Sequence, residues 1–109
     1  MKKRDLVELF LRSRSIKVLI SDEEVFTTLA NSIIATVNHR FKYTDFKIVN
    51  GALRSPYLVE QFLKLINPVD IEDIAGYCAD NVIVIDSPKM TIQAKEFAKL
   101  HYTYVYLED

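Results

Sequence analysis

Short β-branched runs alternate with amphipathic segments along this chain, and that alternation leaves few architectures open. Ile16 to Ile20 (Ile-Lys-Val-Leu-Ile) reads as a strand. Phe26, Leu29, Ala30, Ile33, Ile34, Val37 and Phe41 then follow at steps of three and four, which puts them on one helix face ending near Arg40. Asn81 to Asp86 (Asn-Val-Ile-Val-Ile-Asp) is apolar throughout its middle, as expected of a strand covered on both faces. Tyr43 to Val49 and Tyr102 to Leu107 complete a set of about four strands.

Helices are expected between them. Residues 4 to 12 form a short one with Leu6, Val7, Leu9, Phe10 and Leu11, whose broad apolar face packs into the fold or against a partner. Ser21-Asp22-Glu23-Glu24 reads as a capping box opening the long helix, with Ile20 and Val25 as its hydrophobic staple. Ser55-Pro56 fits N-cap and first position of a helix through Leu58, Phe62, Leu65 and Ile66, stopped by Asn67-Pro68. Asp70 caps a short helix with Ile71, Ile74, Ala75 and Cys78, in which Gly76 has no derivable role. Ser87-Pro88 repeats the Ser-Pro start ahead of Met90, Ala94, Phe97 and Ala98.

The order helix, strand, helix, strand, helix, helix, strand, helix, strand argues for an α/β fold. It implies a single layered domain over 1–109, with about four largely parallel strands, flanking helices and a basic N-terminal arm or helix over 1–15. The competing reading is α+β, with a hairpin over 43–54 closed by Asn50-Gly51.

Composition narrows the function classes. Half of the 109 residues are apolar, enough for a core, and 14 basic residues face 15 acidic ones. With Gly51 and Gly76 as the two glycines, neither Gly-rich phosphate-loop motif can be written, which removes the usual ATPase loop. No apolar run reaches 18 residues, so no membrane segment is expected. The Met1-Lys2-Lys3-Arg4 start leads into a stretch broken by Glu8, without the pattern of a signal peptide. Cys78 is the one cysteine, so no intrachain disulfide forms and a cytoplasmic location is expected.

Four groups of residues invite a functional reading. In open α/β sheets ligands bind beyond the carboxyl ends of strands. There the sequence puts Ser21, Asp22 and Glu23 after the first strand and Asp86, Ser87 and Lys89 after the third. If those strands are parallel neighbours, Asp22 and Asp86 can share a Mg²⁺ with Lys89 near a phosphate. The bland alternative is that Ser21 and Ser87 are helix caps.

A second group interleaves bases with aromatics, the mix that phosphate contact and base stacking use: Arg40, Lys42, Tyr43 and Lys47, joined by Lys2, Lys3, Arg4, Arg12 and Arg14. Residues 1–17 hold six basic groups against Asp5 and Glu8. A third group is Tyr102, Tyr104 and Tyr106, which share one strand face and suit a dimer interface, a stacking platform or packing beneath a helix. Fourth, His39 and His101 stand apart from each other and from Cys78, which offers no zinc pattern.

The leading expectation is therefore a small non-enzymatic interaction or regulatory module, homodimeric or bound to another protein, without a cofactor. A nucleic-acid-binding protein using the basic N-terminus and residues 39–47 is the alternative. A metal-dependent phosphoryl-transfer or nuclease-like enzyme at the strand ends is the second alternative.

Overall fold

The computed structural model describes residues 1–13, 15–41, 47–49, 52–55, 58–66 and 81–108. Its centre is β1, Lys17–Ile20, whose Val18, Leu19 and Ile20 are almost wholly buried. A central strand must pair along both edges, because buried backbone N–H and C=O groups need partners. Val82–Ile85 (β5) supplies one edge and Leu58–Leu65 (β4) the other, both parallel to β1, with Lys17 opposite Val82 and Phe62 respectively. Thr103–Val105 (β6) lies parallel beyond β5. On the far side Ala52–Ser55 (β3) runs antiparallel to β4, and Lys47–Val49 (β2) antiparallel to β3. The six-stranded order is β2-β3-β4-β1-β5-β6. The parallel part realises the α/β reading, and the hairpin of the α+β reading is present as β2–β3 on its edge.

Helices cover both faces. Lys3–Arg12 (α1) and Glu23–Phe41 (α2) lie on one face, where Leu6, Val7, Phe10, Phe26, Leu29, Ile33 and Val37 pack against Val18, Ile20, Leu63, Ile83 and Ile85. Ile92–His101 (α3) covers the other, where Ala94 and Ala98 sit on Leu19, Val82 and Val84, with Met90 and Ile66 beside them. The alternating sides of Val18 and Leu19, and of Ile83 and Val84, are the period-two signature of strands buried on both faces.

The expected helix from Ser55-Pro56 is instead a strand. Leu58, Phe62, Leu65 and Ile66 share helical spacing, but Leu63 and Leu65 join the α1/α2 face while Phe62 and Ile66 join the α3 face. Pairing with the open edge of β1 overrides local preference here. Gln61, buried on this strand, donates from Nε2 to the carbonyls of Phe10 (2.8 Å) and Ser13, tying the end of α1 to the sheet.

Two caps also differ from expectation. Asp22, not Ser21, opens α2: its Oδ1 accepts from the amides of Glu24 (2.9 Å) and Val25 (3.2 Å), and its carbonyl accepts from Phe26. Aspartate caps as well as serine. The shift by one residue leaves Ser21 in the strand extension, while Ile20 and Val25 still belong to one apolar cluster. Ser87 caps only a turn, accepting from the Lys89 amide at 3.2 Å, and α3 begins later with Thr91 Oγ1 accepting from Ala94.

Residues 1–13 are integral to the fold. Beyond the packing of α1, the Met1 ammonium donates to the Tyr106 carbonyl (2.9 Å), the Glu108 amide donates to that of Met1 (2.8 Å), and Lys2 bridges in parallel to Glu108. Gly51, the helix expected from Asp70 with Gly76 and Cys78, and the side groups of Arg14, Lys42 and Tyr43 lie outside the described residues. Among those described, no helix is long and apolar enough to cross a membrane.

Candidate functional site

In the parallel part, the strand order β4-β1-β5-β6 reverses direction at β1. The chain leaves β1 for β4 on one side, then returns across it to β5 on the other. Such a reversal opens a crevice outside the carboxyl ends of the two strands, because the segments leaving them diverge to opposite sides. The condition set for Asp22 and Asp86 is thereby met: β1 and β5 are adjacent and parallel, and the register Leu19 opposite Val84, continued by two residues, brings Ser21 beside Asp86.

Asp86 follows Val82 and Val84 in alternation and so belongs to the α3 face. Its Oδ1 accepts the hydroxyl of Tyr104 and lies 3.7 Å from the Lys95 ammonium. Burial, reinforced by the bond to Asp86 and by that carboxylate's charge, raises the Tyr104 hydroxyl pKa well above its usual value. Lys95 and Asp86 are each about 30% exposed at the side chain (30% and 28%), so their attraction is partly screened by water. Asp22 likewise uses Oδ1 for both of its amide contacts. The Oδ2 atoms of both carboxylates take no part in these contacts.

Ser21 precedes Asp22 in the chain and lies opposite Asp86 by the continued register. It is 4% exposed, and its Oγ has no hydrogen-bond partner among the described residues. Buried hydroxyls are nearly always bonded, and leaving one unmade costs about 1–3 kcal/mol. By alternation with Leu19 it shares the α3 side with Asp86. Among the described residues no three His, Cys, Asp or Glu side chains converge. Asp22 at the α2 cap, Asp86 on the α3 side and exposed Lys89 thus follow the carboxyl ends of β1 and β5.

Among the described residues, the basic groups of the nucleic-acid reading lie at separate places. Lys2 bridges to Glu108 beyond the end of β6, and Lys3 and Arg4 open α1 next to it. Arg12 closes the same helix about 14 Å away at 1.5 Å per residue. Arg40, on α2, is committed to α1: its guanidinium forks onto the Glu8 carboxylate, Nη1 to Oε2 at 3.1 Å and Nη2 to Oε1. Lys47 lies in β2 at the opposite edge of the sheet.

The tyrosine stripe lies on the α3 side. Tyr102 and Tyr104 are half-buried against the core of that face, and Tyr106 is 56% exposed. Tyr104 and Tyr106 meet edge-to-face with centroids 5.4 Å apart, beneath the Lys99 ammonium at 5.4 and 5.9 Å. His39 and His101 close α2 and α3, at the opposite end of the sheet from the crevice. At that end a cleft of about 450 Å³ has an apolar floor of Leu9, Ile16 and Ile83 and an uncharged rim of Ser15, Asn81 and Thr103.

The sequence did not show the Lys95 and Tyr104 contacts to Asp86 or the unpartnered state of Ser21. Lys95 carries a weak signal, since it falls on the helix that returns over the strand bearing Asp86. No known protein family, curated protein or solved structure matches the chain.

Proposed function

We propose that the protein is a small regulatory module whose ligand is a hydrated divalent cation bridging to a phosphoryl group, held at the carboxyl ends of β1 and β5. The observation that carries this reading is Ser21 Oγ, buried without a partner among the described residues, next to Asp22 in the chain and opposite Asp86 in the sheet. Asp22 and Asp86 bind the cation through those oxygens, and Ser21 orients a bound water. Lys89, exposed three residues after Asp86, and Lys95, 3.7 Å from Asp86 Oδ1, are the cations offered to a phosphoryl oxygen. The reading is one of binding: the two carboxylates serve the cation, and both histidines lie at the far end of the sheet.

Manganese, a paramagnetic stand-in for magnesium, tests it. Titrating Mn²⁺ into the labelled chain is expected to broaden the amide signals of Ser21, Asp22, Ile85, Asp86, Ser87 and Lys89 first, with Mg²⁺ competing. Asp86→Asn is expected to weaken Mg²⁺ binding at least tenfold. Asp22→Asn, which keeps the helix cap, is expected to do the same. Broadening spread evenly over acidic surface residues, or unchanged in both variants, would sink the proposal.

A further inference from the structure

The row of strand ends that holds Ser21 and Asp86 continues onto β6. Ile85 lies opposite Val105, and the Asp86 amide donates to the Val105 carbonyl at 2.8 Å. Continued by one residue, that register sets Tyr106 beside Asp86, as the register of β1 and β5 sets Ser21 on its other side. Neighbouring strands lie about 4.8 Å apart, so the three residues mark the carboxyl ends of three adjacent strands. The Tyr106 ring stands on the α3 side with Asp86, where it meets the Tyr104 ring and the Lys99 ammonium.

Tyr106 is 56% exposed, the one exposed Phe or Tyr among the described side chains. Its ring is nonetheless held, edge-to-face with Tyr104 at 5.4 Å between centroids and with Lys99 Nζ 5.9 Å from its own centroid. Tyr104 in turn donates its hydroxyl to Asp86. Ring, lysine and carboxylate are thus one connected group. Tyr102 and Tyr104 pack against the core beneath α3, and Tyr106 does not. A ring fixed in place with its surface open has little freedom to lose when a flat ligand stacks on it. Cations border it: Lys95, 3.7 Å from Asp86 Oδ1, and Lys99, four residues on along the same side of α3.

We infer that the ligand of this site is a nucleotide, its base stacked on Tyr106 and its phosphoryl group on the cation held by Asp22 and Asp86. The inference rests on the cation and phosphoryl reading above and names the molecule that carries the phosphoryl group. One strand spacing separates the backbones of Asp86 and Tyr106, and a ribose spans a comparable gap between its base and its phosphate. Inorganic phosphate would use the cation and the lysines and leave the ring idle. A ring without a phosphate would leave the cations idle. A nucleotide engages both. Every base has a π-face, so stacking on Tyr106 selects nucleotides as a class and not one base among them.

Calorimetric titration of the full chain with ADP and with inorganic diphosphate, both at saturating Mg²⁺, tests this. ADP is expected to bind about tenfold tighter than diphosphate, the effect of one stacked base. Tyr106→Ala, a change at an exposed position, is expected to bring ADP down to the affinity of diphosphate, and Tyr106→Phe to keep the preference. Asp86→Asn is expected to weaken both ligands about tenfold. Equal affinity for the two ligands, or a preference for ADP that survives Tyr106→Ala, overturns the inference and leaves the cation reading standing. So does loss of the preference in Tyr106→Phe, which assigns it to the hydroxyl and not to stacking. Failure of both ligands to bind, or binding that Asp86→Asn leaves unchanged, overturns the cation reading and the nucleotide with it.

Discussion

The two faces of the sheet are built to different ends. Beneath α1 and α2 the interior is large and dry, made of Phe10, Leu6, Leu29, Ile33 and Phe26 against Val18, Ile20 and Leu63. Beneath α3 it is thin: Ala94 and Ala98 let the helix lie close, and around them stand Asp86, Lys95, Tyr104 and Ser21. The first face stabilises the domain by burial. The second sacrifices apolar volume to hold titratable groups at fixed positions, and it borders both the crevice and the outer surface of α3. Stability and chemistry are thus divided between the two sides of a single strand, β1, whose Val18 and Leu19 face opposite ways.

The division breaks if a truncation beneath α1 is cheap. Phe10, 1% exposed, touches both α2 and the sheet, and Phe10→Ala should cost about 3–5 kcal/mol in urea unfolding. On the other face the sensitivity is reversed: little can be removed, but little can be added. Ala98, fully buried between α3 and the sheet, leaves no room for Leu, so Ala98→Leu should cost about 1–3 kcal/mol through displacement of α3. It should also disturb Lys99 and the Tyr104 hydroxyl bond, visible as shifted tyrosine ring signals, whereas Phe10→Ala should leave those signals in place.

Which side a residue faces was readable in the sequence where the periodicity was unambiguous. The period of three and four over residues 26–41 and the unbroken Val82-Ile83-Val84-Ile85 both led to the observed elements. Residues 58–66 misled because their leucines and phenylalanine fit a helical face as well as two strand faces. The choice was made by β1, whose residues lie 45 positions before their partners in β4 and whose free edge required a partner. The carboxylates of the crevice were legible because strand ends are marked by the capping residues that follow them. Lys95 and Tyr104 were not, since only the return of α3 and β6 alongside Asp86 brings them there. The shift of the cap from Ser21 to Asp22 was invisible as well, because both residues cap equally well and the extra extended residue is fixed by the sheet.

A smaller effect sharpens the comparison on the α3 side. Tyr104→Phe removes one hydrogen bond to a partly exposed carboxylate and should cost about 1 kcal/mol. The chain has six tyrosines, and Tyr104 should be the late one in an alkaline titration. Its folded pKa is raised above the ordinary 10.0, chiefly by burial and then by Asp86. The folded state therefore keeps a proton that the unfolded chain loses. Its contribution is fully present below pH 10 and declines as pH rises beyond that value. Asp86→Asn should bring the late tyrosine nearer the others, since the carboxylate's charge is removed. A titration unchanged by Asp86→Asn would mean that burial alone sets the shift and that Tyr104 and Asp86 are not coupled in solution.

The smallest effect lies outside both faces, where α1 meets α2 through Glu8 and Arg40. Both side chains are about half exposed, at 49% and 47%, and exposed pairs contribute little. The fork of hydrogen bonds from Arg40 nevertheless holds the Glu8 carboxyl below its ordinary 4.5. A lowered pKa contributes stability that is present above the unfolded value and is lost as pH falls through the folded one. Glu8→Gln should therefore leave stability nearly unchanged at pH 3 and lower it slightly at pH 7, with the difference shrinking in high salt. Carboxyl chemical shifts would follow Glu8 directly, and Arg40→Gln should return its midpoint to the ordinary range. An effect as large as that of Phe10→Ala would show that the α1–α2 contact depends on charge, and would undo the division between a face that stabilises by burial and a face that holds charges.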